Sequence, residues 1–297
     1  RIFGRRSLCR PSRRASCARW MLWRPVVRSA FALQRGPLVR MSAWAAPADA
    51  AEADMCTEVV SNLKWVKGRV DAASNGRARN PNPTLIAVSK TKPLSYIAAA
   101  AAAGQVDFGE NYVQELVEKA DLVKAAVGAP TIRWHFIGKL QSNKVKSIVQ
   151  VPSLYAIHTV DKEKLATMID KNWAEFRPHD EPVRVFIQVN TSGEEQKGGC
   201  QPSDAPALAK IITALPRLEL IGVMCIGKYS GAEGDASPDF VVLNETRDAV
   251  ASALGVAQDA VALSMGMSHD FETAIEHDAT HVRVGSTIFG KRDYAKA

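Results

Sequence analysis

Eight short apolar runs, each parted from the next by a stretch of helical periodicity, recur through the second two-thirds of this chain. The runs lie at 84–88, 106–108, 132–137, 154–158, 183–189, 218–226, 261–264 and 282–286. The segments with helical spacing lie at 94–103, 112–127, 142–149, 162–176, 205–215, 239–253 and 270–277. Near-continuous apolar strands separated by helices are parallel and buried on both faces, and eight such strands close on themselves. The expected fold is a single (β/α)8 TIM barrel. A further helix is expected ahead of it at 50–73, because Val59, Leu63, Val66 and Val70 fall on one face. An open doubly wound sheet is the competing architecture. No G-x-G-x-x-G follows the first strand, which weakens a dinucleotide-binding version of it.

Charge is distributed unevenly. The chain has 38 Lys and Arg against 31 Asp and Glu, a formal net charge of +7. Residues 1–46 hold eleven arginines, no lysine and no acidic residue, so the other 27 basic residues meet 31 acidic ones and leave −4. The folded part therefore has no bulk attraction to nucleic acid or an anionic surface. No run of about 18 apolar residues exists, so no membrane span is expected. An Arg-rich, acid-free, Ser-containing leader has the composition of a transit peptide. Residues 1–49 are accordingly expected to be a disordered targeting segment for mitochondrion or plastid, and 50–297 the barrel, with no second domain after it. Should translation begin at Met21 or Met41, the expected compartment is the cytoplasm.

Cys9, Cys17, Cys56, Cys200 and Cys225 are spaced for neither a disulfide framework nor a metal knuckle, so reduced thiols are expected. Cys225 sits in an apolar run and reads as a core residue. His158, His269, His277 and His281 show no metal-ligand spacing, and a zinc site is not expected. Loops are expected at 75–83 and 193–198, the latter solvated or a lid, and a mobile one at 230–237.

In such a barrel, functional groups gather at the carboxyl ends of the strands. The first strand runs into Ser89-Lys-Thr-Lys-Pro93. A lysine at a buried strand end loses solvation, and its neutral amine can condense with an aldehyde. The ordinary alternative is a lysine snorkelling to the rim. Lys90 and Lys92 share a side, so spacing alone does not choose between them. Pro93 ends the strand near Lys92 and leaves Lys90 deeper, which favours Lys90. The last two strands end in Leu263-Ser-Met-Gly-Met-Ser268 and Val282-Arg-Val-Gly-Ser-Thr287. Ser264 and the Gly285-Ser286-Thr287 turn would cradle a phosphate through hydroxyls and backbone N–H groups. The alternative is a pair of ordinary strand-to-helix turns with Ser268 as an N-cap. Lysine and phosphate cradle together suggest a phosphorylated aldehyde cofactor. Arg283 lies two residues before Gly285 and shares its face. Beside a pyridine nitrogen it would donate a hydrogen bond and leave the ring a poor electron sink. Its alternative is an ion pair with Asp107, Glu110 or Asp278. His135, alone in an apolar strand, is more readily a satisfied core group than an acid or base.

Five segments together carry a resemblance. They are Val88-Ser-Lys-Thr-Lys-Pro93, Phe108-Gly-Glu-Asn-Tyr-Val-Gln-Glu115, Trp134-His-Phe-Ile-Gly-Lys-Leu-Gln-Ser-Asn-Lys144, Leu263-Ser-Met-Gly-Met-Ser268 and Val282-Arg-Val-Gly-Ser-Thr-Ile-Phe-Gly290. Through them the chain resembles the pyridoxal phosphate homeostasis protein family over roughly residues 50–294. The resemblance implies a single-domain TIM barrel, similar to the N-terminal domain of alanine racemase, with pyridoxal 5′-phosphate bound as an internal aldimine. It implies that Lys90 is the Schiff-base lysine, that Ser264, Gly285 and Ser286 hold the phosphate, that Arg283 lies at the ring nitrogen or phosphate, and that Asn111 lines the pocket. The family often has Pro where this chain has Lys139, a departure confined to a loop.

The family's implied role is to buffer, carry or deliver the cofactor in vitamin B6 homeostasis, with apo-enzymes as recipients, rather than to catalyse. Physical chemistry agrees. A racemase needs a second acid/base on the opposite face of the substrate; none is expected here, and Arg283 would mute carbanion stabilisation. A monomer or weak dimer is expected. Two other readings stay open: a pyridoxal phosphate-dependent amino-acid racemase or lyase, and a barrel binding another phosphorylated metabolite without a Schiff base. Visible colour separates the last from the first two.

Overall fold

A computed structural model describes residues 45–75, 77, 82–126, 128–227 and 238–291. The leader expected at 1–49 lies outside them up to residue 44, and the mobile loop expected at 230–237 lies wholly outside them. The described chain opens with α1 (Ala50–Ser74). Asp49 caps it by accepting the Glu52 N–H at 2.8 Å, and Glu52 returns the favour by accepting the Ala48 N–H at 2.8 Å. Its buried stripe is Cys56, Val59, Leu63, Val66, Val70 and Ser74, the three-and-four spacing of a helix docked along one face.

The barrel follows as β1 (Thr84–Val88), α2 (Leu94–Ala102), β2 (Asp107–Glu110), α3 (Val113–Ala125), β3 (Arg133–Phe136), α4 (Val145–Ile148), β4 (Leu154–Val160), α5 (Glu163–Phe176), β5 (Val183–Val189), α6 (Ala205–Thr213), β6 (Leu218–Cys225), α7 (Pro238–Leu254), β7 (Ala262–Ser264), α8 (Phe271–Glu276), β8 (His281–Val284) and α9 (Ser286–Phe289). The strands pair in chain order, all parallel, and β8 closes on β1 with Leu85 opposite Val282 and Ile86 opposite Arg283. The barrel expected from the eight apolar runs is thus the architecture observed.

Element ends differ where small polar residues sit. The last strand stops at Val284; Gly285 turns away at φ −117°, ψ −77°, and Ser286 opens a helical turn instead of extending the strand. The segment at 142–149 begins as a 3-10 turn, Ser142–Lys144, with no side-chain cap to start an α-helix earlier.

Apolar side chains fill the space between strands and helices, led by Trp134, Phe108, Phe136 and Ile157. Inside the barrel the picture changes. Ala156, Phe186 and Met224 form a small apolar cluster there. Around it His135, His158, Ser264 and Arg283 are buried as well, where branched aliphatics usually stack in layers.

Leu63 is fully buried on α1, beneath which α2, α8 and α9 lie. Truncating Leu63 to Ala should destabilise the barrel by about 2–5 kcal/mol, read as a lowered denaturant midpoint. An unchanged midpoint would mean that α1 is not part of the cooperative unit.

Candidate functional site

A cavity of about 310 Å³ opens at the carboxyl end of the strands. Its polar lining includes Lys90, Lys92, Asn111, Ser268, Arg283 and Ser286, and its apolar lining Val88, Ile137, Ile226, Met267 and Phe289. That volume and that mixture suit a small aromatic ligand with a few polar handles.

Lys90 follows β1 in a turn, half-buried, and not in the strand itself. The next residue, Thr91, has φ 59°. A β-branched residue in the left-handed region costs about 1–2 kcal/mol and persists where the surroundings hold it there. Lys92 lines the cavity too, but its Nζ donates to the carbonyl of Lys291 at 2.8 Å. Asn111 comes from the end of β2. Its backbone lies so close to Gly138 that a Cβ there would meet the Asn111 carbonyl oxygen at 1.9 Å, so glycine is what lets the ends of β2 and β3 converge. The Asn111 Oδ1 is buried and, among the described residues, meets no donor.

Gly285 and Ser286 line the cavity as well, at the start of α9. A Cβ at Gly285 would meet the Val88 carbonyl oxygen and Cβ at 3.3 Å, so the two chain segments touch. Ser268 is not a helix N-cap; Asp270 holds that position before α8. Instead its Oγ accepts the Gly285 N–H at 3.1 Å and ties the ends of β7 and β8 together.

Arg283 is buried, and its guanidinium is held from behind: Nη1 donates to Ser264 Oγ at 2.7 Å and Nη2 to the Cys225 carbonyl at 2.8 Å. The three carboxylates considered for it have other cations. Asp107 pairs with Arg133, Glu110 with Lys119 and Asp278 with Arg77. Among the described residues Arg283 forms no ion pair. A buried cation so placed calls for an acceptor or anion from the cavity. Ser264 is fully buried behind it and is not among the residues lining the cavity. Its hydroxyl meets Arg283 and His158.

His158 extends the chain of hydrogen bonds inward. Its Nδ1 lies 3.0 Å from Ser264 Oγ, its Nε2 lies 3.0 Å from His135 Nδ1, and His135 Nε2 lies 2.9 Å from Asp107 Oδ1. Burial pushes both imidazoles down, His158 well below its ordinary value, so both stay neutral. Burial alone would raise Asp107, but hydrogen bonds from His135 and Arg133 outweigh it and hold the carboxyl below the usual range. The chain then has one direction. His135 Nε2–H donates to Asp107, His158 Nε2–H to His135, and the Ser264 hydroxyl to His158. Ser264 thereby turns a lone pair to Arg283. His135 is thus a satisfied interior group, joined to Arg283 through three hydrogen bonds.

Cys225, whose carbonyl takes Arg283, is a core residue; burial pushes its thiol up to about 12, so it stays protonated.

Barrel, cavity and lining define a class. Residues 72–293 match the family described as alanine racemase, N-terminal domain. The human pyridoxal phosphate homeostasis protein is 44% identical over 239 residues, covering 79% of this chain and 86% of that relative. The chain belongs to the pyridoxal phosphate homeostasis protein family. Among solved structures, PipY of Synechococcus elongatus with pyridoxal phosphate bound is 31% identical with a TM-score of 0.63, covering 78% of this chain and 100% of its own. The alanine racemase of Corynebacterium glutamicum shares the fold alone, at 16% identity and a TM-score of 0.55, covering 80% of this chain and 61% of its own.

The buried imidazoles give the barrel an acid limit. Desolvation also pushes half-buried His281 down to about 3. Unfolded, each histidine binds a proton near pH 6.5, whereas the fold keeps it neutral, so stability is full above that pH. Below it, each such group removes up to about 1.4 kcal/mol per pH unit, for His281 until about pH 3. Denaturant midpoints should fall from pH 7.5 to pH 5, less steeply in His281→Asn. Equal slopes for parent and variant would contradict a neutral buried His281.

Proposed function

We propose that this chain holds pyridoxal 5′-phosphate covalently on Lys90, and buffers or delivers it within vitamin B6 homeostasis. The observation that carries this reading is the convergence of Lys90, Arg283 and the Gly285–Ser286 turn on one cavity from opposite ends of the barrel sequence. The fit is chemical. The cavity offers a primary amine, a buried guanidinium with no ion pair among the described residues, and a buried amide oxygen that meets no donor among them.

When bound, the cofactor supplies an aldehyde carbon for the amine and a phosphate for the cradle. Lys90 would supply the primary amine that condenses with that carbon, with loss of water. Ser286 holds the phosphate at the first turn of α9, and Gly285, whose N–H is taken by Ser268 Oγ, lets the phosphate approach by having no side chain. Asn111 Oδ1 accepts from the ring hydroxyl. Arg283, anchored from behind, turns its remaining N–H donors to the ring nitrogen. In this reading Ser264 orients Arg283, and the phosphate contact expected of it passes to the turn at 285–286.

No amino-acid turnover is proposed for the chain. Arg283 keeps its proton, so it leaves the ring nitrogen unprotonated and withholds the electron sink that such chemistry requires. Apo-enzymes dependent on this cofactor are the proposed recipients. For residues 1–49 we propose organelle targeting: a fluorescent fusion should collect in mitochondria or plastids, and a diffuse cytosolic signal would remove that reading.

The purified protein should be yellow, lose its visible band on borohydride reduction, and carry the added mass on Lys90. A protein that stays colourless with added pyridoxal 5′-phosphate would overturn the assignment. Lys90→Ala should abolish covalent attachment while the cradle retains weak binding. Arg283→Gln should loosen retention by about 1–3 kcal/mol, the worth of a charge-assisted hydrogen bond. Exchange of amino-acid α-protons above the rate with cofactor alone, lost in Lys90→Ala, would show the chain to be a catalyst.

A further inference from the structure

We propose that a buried lysine, Lys119, is a positioning residue for Lys90: together with Glu115 and Glu110 it clamps the turn that carries the anchor amine. The proposal rests on Lys90 being that anchor. It goes beyond it by assigning a role to groups outside the cavity.

The contacts fall on the residues immediately before and after Lys90. On one side, Ser89 is fixed at three atoms. Its N–H donates to the Gly109 carbonyl at 3.0 Å, its hydroxyl to Glu110 Oε1 at 2.7 Å, and its carbonyl accepts from Lys119 Nζ at 2.8 Å. On the other side, the Thr91 N–H donates to Glu115 Oε1 at 2.6 Å. Lys119 joins the two sides, since its Nζ also donates to Glu110 Oε1 at 2.8 Å and to Glu115 Oε1 at 2.6 Å. All three protons of one ammonium are thereby used. Glu110 comes from β2, and Glu115 and Lys119 lie one turn apart on α3, so two elements grip a turn belonging to a third.

A merely stabilising ion pair would need none of this convergence. Lys119 is 7% exposed and Glu110 fully buried, so the ammonium lies inside the fold, while partly buried Glu115 reaches outward to the Thr91 N–H. What it holds is a backbone that does not hold itself: Thr91 sits at φ 59°, a conformation a β-branched residue leaves unless tied. With Ser89 and Thr91 both fixed, the direction in which Lys90 leaves the backbone is fixed too. An amine that must meet an aldehyde carbon at bonding geometry is sensitive to that direction, and a displacement of about 1 Å can cost on the order of a hundredfold in rate.

The test uses the full chain, stripped of cofactor and mixed with pyridoxal 5′-phosphate. Reaction is quenched with borohydride at intervals, and the adduct on the Lys90 peptide is counted by mass. Glu115→Ala should slow attachment about tenfold, and Glu115→Gln should recover most of the rate, because an amide oxygen still accepts from Thr91. Lys119→Met should slow it at least as much. A cofactor analogue with methyl in place of the aldehyde should bind parent and Glu115→Ala within about twofold, since it needs the cradle and not the amine. Attachment in Glu115→Ala as fast as in the parent overturns the clamp. So does a slow variant that has also lost the analogue, which would mean a general loss of the site. No adduct on Lys90 in the parent overturns the anchor assignment, and the clamp with it.

Discussion

The closing of β8 on β1 is the constraint on which the rest of the site depends. Pairing Ile86 with Arg283 and Ala87 with Val284 joins segments almost two hundred residues apart in the chain. It brings the Gly285 turn into van der Waals contact with Val88, two residues before Lys90. Parallel pairing over such a separation orders the whole intervening chain first, which is costly in entropy and repaid by burial on both faces of every strand. Lys90 and the Gly285–Ser286 turn are neighbours because the sheet has no edge.

Closure also creates an interior, and this one is furnished with hydrogen-bonding groups where aliphatic layers would be usual. A run from Asp107 through His135, His158 and Ser264 to Arg283 is satisfied link by link. Each such bond contributes on the order of 1 kcal/mol net, whereas a buried member left unsatisfied costs about 1–3 kcal/mol. The arrangement therefore favours completeness over strength. Its product is a guanidinium that lines the cavity, is held against neutral partners and forms no ion pair among the described residues. The racemases share this barrel architecture at low identity, so the fold by itself does not fix what happens at the cavity.

How much of this was legible in the chain varies with the range of the physics involved. The strands were, because parallel buried strands are continuous apolar runs; 84–88 and 183–189 coincide with β1 and β5. The helical face of α1 was, because Val59, Leu63, Val66 and Val70 recur at helical spacing. The end of β8 was not: Gly285 and Ser286 suit a strand end and a helix start equally, and the choice depends on the turn that Ser268 grips from another strand. Ser264 and Ser268 are four residues apart in one motif, and nothing local says that the first faces the barrel interior while the second lines the cavity. His135 and His158 are 23 residues apart on neighbouring strands, with no periodic signal to join them.

By itself, the amino-acid sequence determined the barrel, its preceding helix and the neighbourhood of Lys90, since apolar periodicity and strand-end chemistry act over a few residues. Tertiary structure alone decided which polar atoms meet: that Lys92 reaches the Lys291 carbonyl, that Ser264 backs Arg283, and that Lys119 joins both flanks of Lys90. Hydrogen bonds form within about 3 Å, and only the closed sheet brings residues from separate strands and helices that near.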